Sequence, residues 1–242
     1  MGFGQSRIAI IGAAGGIGSA LARRLRSQGA ELFLLGRSAE KLTGLAGELG
    51  AQWLALDASK VAELEQALAA FGTLNGIVNC AGSILLKPAH LTSEAEWQQT
   101  LETNLTTAYA TVRAGAKAMF TTGGSIVLCA SAAARTGLAN HEAIAAAKGG
   151  VIALALAAAA TYAPRNIRVN CVAPGLVDTA LAAKITASEA ALKASTAMHA
   201  LARIGKPEDV ASAVAWLLDP ENSWVTGQVL GVDGGLGTVR PR

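Results

Sequence analysis

Residues 7–18 read Arg7-Ile-Ala-Ile-Ile-Gly-Ala-Ala-Gly-Gly-Ile-Gly18. Arg7 to Ile11 reads as a continuous buried-strand run. Beyond the glycines, Ile17, Leu21 and Leu25 recur at helical spacing until Gly29 closes the pattern. A strand that turns through glycines directly into a helix can bring its backbone close to a pyrophosphate. The free N–H groups and dipole of the helix N-terminus then stabilise that anion. The competing reading is a tight strand-to-helix turn that binds nothing. Gly12, Gly16, Ile17 and Gly18 are the candidate binding residues, in the spacing G-x-x-x-G-x-G rather than G-x-G-x-x-G.

Working outward, the same alternation continues to the end of the chain. Apolar runs at 31–35, 53–56, 76–80, 125–130, 167–174 and 228–232 follow the first. Helical patterns lie between them, including Ser59–Phe71, a long one from about Ser93 to Met119, an alanine-rich one around Lys148 and Pro207–Leu218. Seven strands too apolar to expose either face, separated by helices, predict an α/β fold with a parallel sheet covered on both sides. Right-handed crossovers make it a Rossmann-type doubly wound sheet. No charged or Ser/Pro-rich linker divides residues 1–242, so a single domain is expected.

Composition narrows the function. The chain of 242 residues is 52% hydrophobic and 15% charged, with a net charge of +3. Arg23, Arg24 and Arg26 form the densest basic group and read as a solvated helix face, which excludes a nucleic-acid surface. Cys80, Cys129 and Cys171 are isolated, with no C-x-x-C pair. They read as small core residues in a reducing compartment, and no cluster suggests a metal. No signal peptide is evident, and the apolar stretch after Lys148 is short for a bilayer span; a cytoplasmic location without membrane attachment is expected.

The second strand ends Leu35-Gly36-Arg37-Ser38. An acid there would accept from the ribose 2′-OH of NAD. Gly36 offers none, and Arg37 presents a forked guanidinium to a 2′-phosphate, so NADP is favoured over NAD, with Ser38 beside it. Asp57, ending the third strand, is placed either to accept from an adenine amine or to cap the segment that follows.

In order, these features resemble the short-chain dehydrogenase/reductase (SDR) family across essentially the whole chain. Gly12, Gly16 and Gly18 match its cofactor loop, with Ile11 where a threonine often stands. Asn79-Cys80-Ala81-Gly82 matches N-N-A-G, with Cys80 replacing the second asparagine. Asn104 matches the asparagine that holds a water in the proton relay, and Ser131 the catalytic serine. Pro174-Gly175 and Thr179 match the P-G-x-x-x-T that meets the nicotinamide. Segments 203–209 and 232–235 are similar too.

The family's Y-x-x-x-K places a tyrosine thirteen residues after the serine; here that position is Ile144, and Lys148 follows four later. The resemblance implies that the tyrosine protonates the carbonyl oxygen, while the lysine lowers its pKa and holds the nicotinamide ribose. Isoleucine supplies no proton. His141, one turn before Ile144, and Ser131 are the candidate replacements; for His141 a helix-start residue without a catalytic role is the competing reading.

Two functions follow. One is an NADP-dependent oxidoreductase acting on the carbonyl or alcohol of a small or moderately apolar substrate, built on Ser131, Lys148, Asn104 and His141. The other is a cofactor-binding homologue without turnover, serving as a sensor or assembly partner. Leu176 to Leu201 corresponds to the family's substrate lid and contains Lys184, Lys193 and His199. The low-charge helices resemble the family's oligomer faces, which implies a homotetramer, with a dimer as the alternative.

Overall fold

The computed structural model describes residues 2–4 and 6–239. The first half runs β1 (Arg7–Ile11), α1 (Gly16–Ser27), β2 (Glu31–Gly36), α2 (Ala39–Leu49), β3 (Gln52–Ala55), α3 (Val61–Phe71) and β4 (Gly76–Asn79). Then come α4 (Glu94–Leu101), α5 (Thr107–Ala118), β5 (Gly124–Cys129), α6 (Glu142–Tyr162) and β6 (Ile167–Pro174). The chain continues through α7 (Ala183–Thr186), α8 (Glu189–Met198), α9 (Pro207–Leu218) and β7 (Val229–Val232). The strands form one seven-stranded sheet in the order β3-β2-β1-β4-β5-β6-β7, every pairing parallel. This is the expected doubly wound sheet, with its strand order reversing between β1 and β4. A ligand crevice opens beyond the carboxyl ends of the strands at such a reversal.

The pleat sends alternate residues of each strand into two separate cores. Ile8, Ile10, Val78 and Val127 pack with Leu21, Leu25 and Val214 beneath α1 and α9. Ala9, Ile11, Ile77 and Ile126 pack with Leu64, Leu68 and Val151 beneath α3, α5 and α6. Both-face burial holds for the five inner strands. The expectation that every strand would be covered fails at both edges: β3 is exposed throughout, including Trp53 and Leu54, and β7 has no buried residue, with Leu230 exposed. β3 is an edge strand on which α2 alone among the helices packs closely; apolar character alone cannot tell an edge from a centre.

Two helices depart from their predicted form. The 93–119 pattern is continuous but passes through a π turn, Glu102–Thr106, between α4 and α5. The alanine-rich α6 spans 21 residues, and the stretch 142–165 is long and apolar enough in composition to cross a membrane, which corrects the impression of a short stretch. Its Ala143, Ala147, Val151, Ala155 and Ala159 are instead buried in the protein, where α6 packs on β6 and the π turn. Small side chains permit that close approach; a Cβ on Gly150 would come within 2.9 Å of Leu105.

Candidate cofactor and active site

The glycine loop is shaped by what surrounds it. Gly12 has φ +74, and a Cβ there would stand 2.7 Å from the Ala81 amide nitrogen and 2.8 Å from the Cys80 carbonyl carbon. A Cβ on Gly16 would meet Thr179 Cγ2 at 2.5 Å, and one on Gly18 would strike the Gly12 carbonyl. The loop is thus wedged between the turn after β4 and the P-G-x-x-x-T segment, which unites three predicted cofactor motifs. Helix α1 has no side-chain cap and no acid in its first turn, so its leading N–H groups, Ile17 among them, remain available to an anion. Gly12→Ala is expected to lose about 1–3 kcal/mol of stability, from a strained left-handed alanine and the clash with Ala81. Thermal unfolding and NADPH titration check this; an unchanged melting temperature would show that the loop relaxes freely.

At the end of β2, Arg37 and Ser38 are exposed, and the Ser38 hydroxyl caps α2 by accepting from the Lys41 amide. Asp57 is exposed nearby. Its carboxylate accepts from the Ser59 amide at 2.9 Å, closing a local turn. It does not cap α3, whose N-cap is Lys60 with no side-chain cap bond, so the expected capping role is not present. The hydrogen bond from Ser59, followed by the charges of Lys60 and Arg37, holds the carboxyl below its ordinary range.

The turn after β4 is fixed by a buried asparagine. Asn79 Oδ1 accepts from the Ala81 amide at 2.8 Å, while its Nδ2 donates to Thr107 Oγ1 at 3.2 Å. Ala81 and Gly82 are thereby presented at the mouth of the crevice. Asn104, 1% exposed, sits within the π turn. Its Oδ1 accepts from the Ser83 amide at 3.1 Å, and its Nδ2 donates to Ser83 Oγ and to the Thr100 carbonyl, both at 2.9 Å. Such bulges displace backbone carbonyls from the regular ladder and recur at functional sites. A Cβ on Gly82 would touch both Asn104 Oδ1, at 3.0 Å, and Lys148 Nζ, at 3.4 Å, so these groups converge on one point. Ser83 is part of that cluster, and the sequence reading missed it; it directly follows the Asn79–Gly82 motif, which is the signal that could have found it.

Lys148 is 7% exposed with no carboxylate beside it; its ammonium donates to the Cys129 carbonyl at 2.7 Å. Burial depresses its pKa, against which the neighbouring cysteines act. Ile144 lies one turn earlier on the same helix and is 5% exposed. Ser131 follows β5; its Oγ accepts from the Ala133 amide at 3.1 Å, which leaves its own hydroxyl proton free to donate. His141 stands at the N-terminal boundary of α6, and its Nδ1 lies 2.7 Å from the Ala139 carbonyl, so the ring turns toward the preceding loop. In the neutral ring Nδ1 then carries the proton and Nε2 is an acceptor.

Pro174 ends β6, and the Gly175 amide donates to the Val232 carbonyl at 3.2 Å. Lys184 and Lys193 lie on α7 and α8 in the half-exposed segment that follows. His199 does not face solvent. It is buried, accepts from the Leu176 amide at Nε2, 3.2 Å, and donates from Nδ1 to the Ser195 carbonyl, 2.6 Å. It pins both ends of the lid segment to Gly175.

The three cysteines, isolated in sequence, are brought together. Cys80 and Cys129 close adjacent strands at the open end of the sheet, each half-buried, and Cys171 is buried in β6 next to them. Among the described residues no group of His, Cys, Asp and Glu could hold a metal ion.

A family model described as enoyl-(acyl carrier protein) reductase matches residues 12–237. The chain is 38% identical to cis-4-hydroxycyclohexanecarboxylate dehydrogenase of Sinomonas cyclohexanicum, with 96% of this chain and 97% of that protein covered. It is 33% identical to galactitol 2-dehydrogenase (L-tagatose-forming) of Cereibacter sphaeroides, over 94% and 93% of the two chains. Among solved structures it superposes on a short-chain type dehydrogenase/reductase from Mycobacterium ulcerans with a TM-score of 0.95, at 31% identity and covering 100% and 93%. An actinorhodin polyketide ketoreductase variant solved with NADPH superposes with a TM-score of 0.91, at 31% identity and covering 97% and 98%.

Proposed function

Because the chain belongs to the short-chain dehydrogenase/reductase family and is an oxidoreductase of that type, we propose that it interconverts a carbonyl and an alcohol with NADP(H), using a proton donor other than tyrosine. The observation that carries this reading is the convergence of Gly82, Ser83, Asn104 and Lys148 beside the Gly12 loop. A chain freed from catalysis has no need to keep Asn104, Ser131 and Lys148 together. Burial of a lysine is unfavourable unless the ammonium meets a partner.

The residues present fit a nicotinamide dinucleotide. The uncapped α1 end and the side-chain-free loop accommodate a pyrophosphate, and Lys148 accommodates the hydroxyls of the nicotinamide ribose. When bound, the nicotinamide supplies or accepts the hydride. Ser131 then orients the substrate oxygen and donates its hydroxyl proton to it, and water resupplies Ser131. His141 is the less favoured donor, because its Nδ1 is engaged with the Ala139 carbonyl. Asn104 holds Ser83 and keeps the π turn open beside Lys148.

The exposed Arg37 favours NADP, since no acid at Gly36 opposes a 2′-phosphate. Arg37→Ala is expected to weaken NADPH binding by roughly 10–150-fold, the worth of charge-assisted hydrogen bonds at about 1.5–3 kcal/mol. NADH affinity should stay as it is. Fluorescence titration with both cofactors reads this, and equal weakening of the two would remove Arg37 from 2′-phosphate recognition. Relatives named for dehydrogenating hydroxycyclohexanecarboxylate and galactitol support an alcohol or carbonyl substrate. The apolar, alanine-rich lid favours a small or moderately apolar one. Exposed Trp97, Tyr109 and Leu156 on α4, α5 and α6 support self-association as a tetramer or dimer.

Ile144 favours the second reading, a cofactor-binding homologue without turnover. Incubation of the protein with NADPH and a panel of ketones and aldehydes separates the two. Substrate-dependent loss of NADPH absorbance is the expected result; tight NADPH binding without oxidation on any substrate would leave only the second reading.

A further inference from the structure

The cysteine pair at the carboxyl ends of β4 and β5 is used by none of this chemistry. The parallel ladder pairs Asn79 with Leu128. The next step of the same register sets Cys80 opposite Cys129, and the Cys80 amide still bonds to the Ile11 carbonyl at 2.9 Å, so β-like geometry persists through it. Both side chains lie against the same apolar core, and hence on the same face of the sheet, whereas Cys171 belongs to the other. Neighbouring strands are separated by about 4.7–4.9 Å, within the Cα separation of roughly 4.4–6.8 Å that a disulfide spans. Both residues are half-buried at the carboxyl end of the sheet.

We propose that Cys80 and Cys129 form an oxidation site, in which exchange with a small-molecule disulfide of the glutathione type closes a reversible Cys80–Cys129 bond. Cys129 is the attacking thiol. The neighbouring Cys80 thiol and then the Lys148 ammonium favour its thiolate, so its pKa is lowered despite burial. Its thiolate attacks one sulfur of the reagent R–S–S–R. The Cys129–S–S–R bond forms, the reagent's S–S bond breaks, and RS⁻ leaves to take up a proton. Cys80, whose pKa is raised by the neighbouring Cys129 and by burial, is the resolving thiol. Once Cys129 is in the mixed disulfide, Cys80 no longer faces a neighbouring thiolate. It loses its proton to solvent and attacks the Cys129 sulfur, expelling the second RS⁻. Two protein thiols are oxidised by two electrons and one small disulfide is reduced to two thiols.

The bond would act on the cofactor site through the backbone. The Cys80 carbonyl carbon lies directly beneath Gly12, and the Cys129 carbonyl holds Lys148. This link rests on the cofactor reading above; the bond itself does not.

The experiment treats the reduced, cofactor-free protein with oxidised glutathione and maps its peptides without reduction. The expected product carries a Cys80–Cys129 linkage lighter by two hydrogens. It leaves one of the three cysteines titratable after denaturation, and dithiothreitol reverses it. Cys171→Ser should give the same linkage, and Cys80→Ser should stall as a glutathione adduct on Cys129. NADPH at about ten times its Kd should slow closure roughly tenfold by occupying the crevice. Thiols that remain unlinked in the wild-type protein, or linkage through Cys171, overturn the proposal without recourse to any variant. Failure of the reduced protein to bind NADPH overturns the cofactor reading and leaves the peptide map to decide the disulfide.

Discussion

Ile144→Tyr is expected to raise kcat/KM for NADPH-dependent reduction of simple ketones by roughly 10²–10⁴-fold, the usual worth of a positioned proton donor. Residues 144 and 148 are one helical turn apart on α6 and both are buried, at 5% and 7% exposure, so a tyrosine there rises on the face that carries the Lys148 ammonium. That charge would lower the phenol's pKa toward the working range. Ser131 lies just past β5 and Asn104 lies in the π turn; the family resemblance implies that both serve the same reaction. The larger ring must fit a site filled by isoleucine, and overpacking of this kind costs about 1–3 kcal/mol. The melting temperature therefore has to be measured beside the rates. A folded variant that binds NADPH yet shows no gain would mean that the pocket is shaped for another reaction.

Lys148→Met tests the other half of the motif. Methionine keeps much of the length and removes the charge. Loss of a charge-assisted contact to the ribose is expected to weaken NADPH binding by roughly 10–150-fold, from about 1.5–3 kcal/mol. Two opposing effects act on the fold. The Cys129 carbonyl loses its donor, while the unfavourable burial of an ammonium disappears. The net change in melting temperature should be small, so a binding defect cannot be blamed on unfolding. Calorimetric or fluorescence titration gives the affinity. An unaltered Kd would show that Lys148 serves the protein alone, through Cys129.

The cofactor loop illustrates what was legible in advance. Gly12, Gly16 and Gly18 could be assigned from position, because an apolar strand, a glycine turn and a helical repeat are local patterns that follow one another along the chain. The structure adds the reason for each glycine: Ala81, Thr179 and the Gly12 carbonyl occupy the space a Cβ would need. Asp57 was left between two roles, and its bond from Ser59 closes a turn ahead of α3 without capping the helix. His199 was unreadable, since its burial depends on Leu176 and Ser195 closing around it. The π turn at Asn104 was invisible because one extra residue in a helical turn does not disturb the apolar pattern enough to be seen.

By itself the sequence determined the alternation of strands and helices, the doubly wound sheet and an isoleucine thirteen residues after Ser131. Periodicity and spacing are one-dimensional properties, and these conclusions need nothing more. Only the tertiary structure decided that β3 is an exposed edge, that Lys148 meets the Cys129 carbonyl and that Ser83 joins Asn104. It alone set Cys80 beside Cys129, 49 positions apart in the chain and next to each other in the sheet. Strand register creates such neighbours, and register is fixed by the whole core.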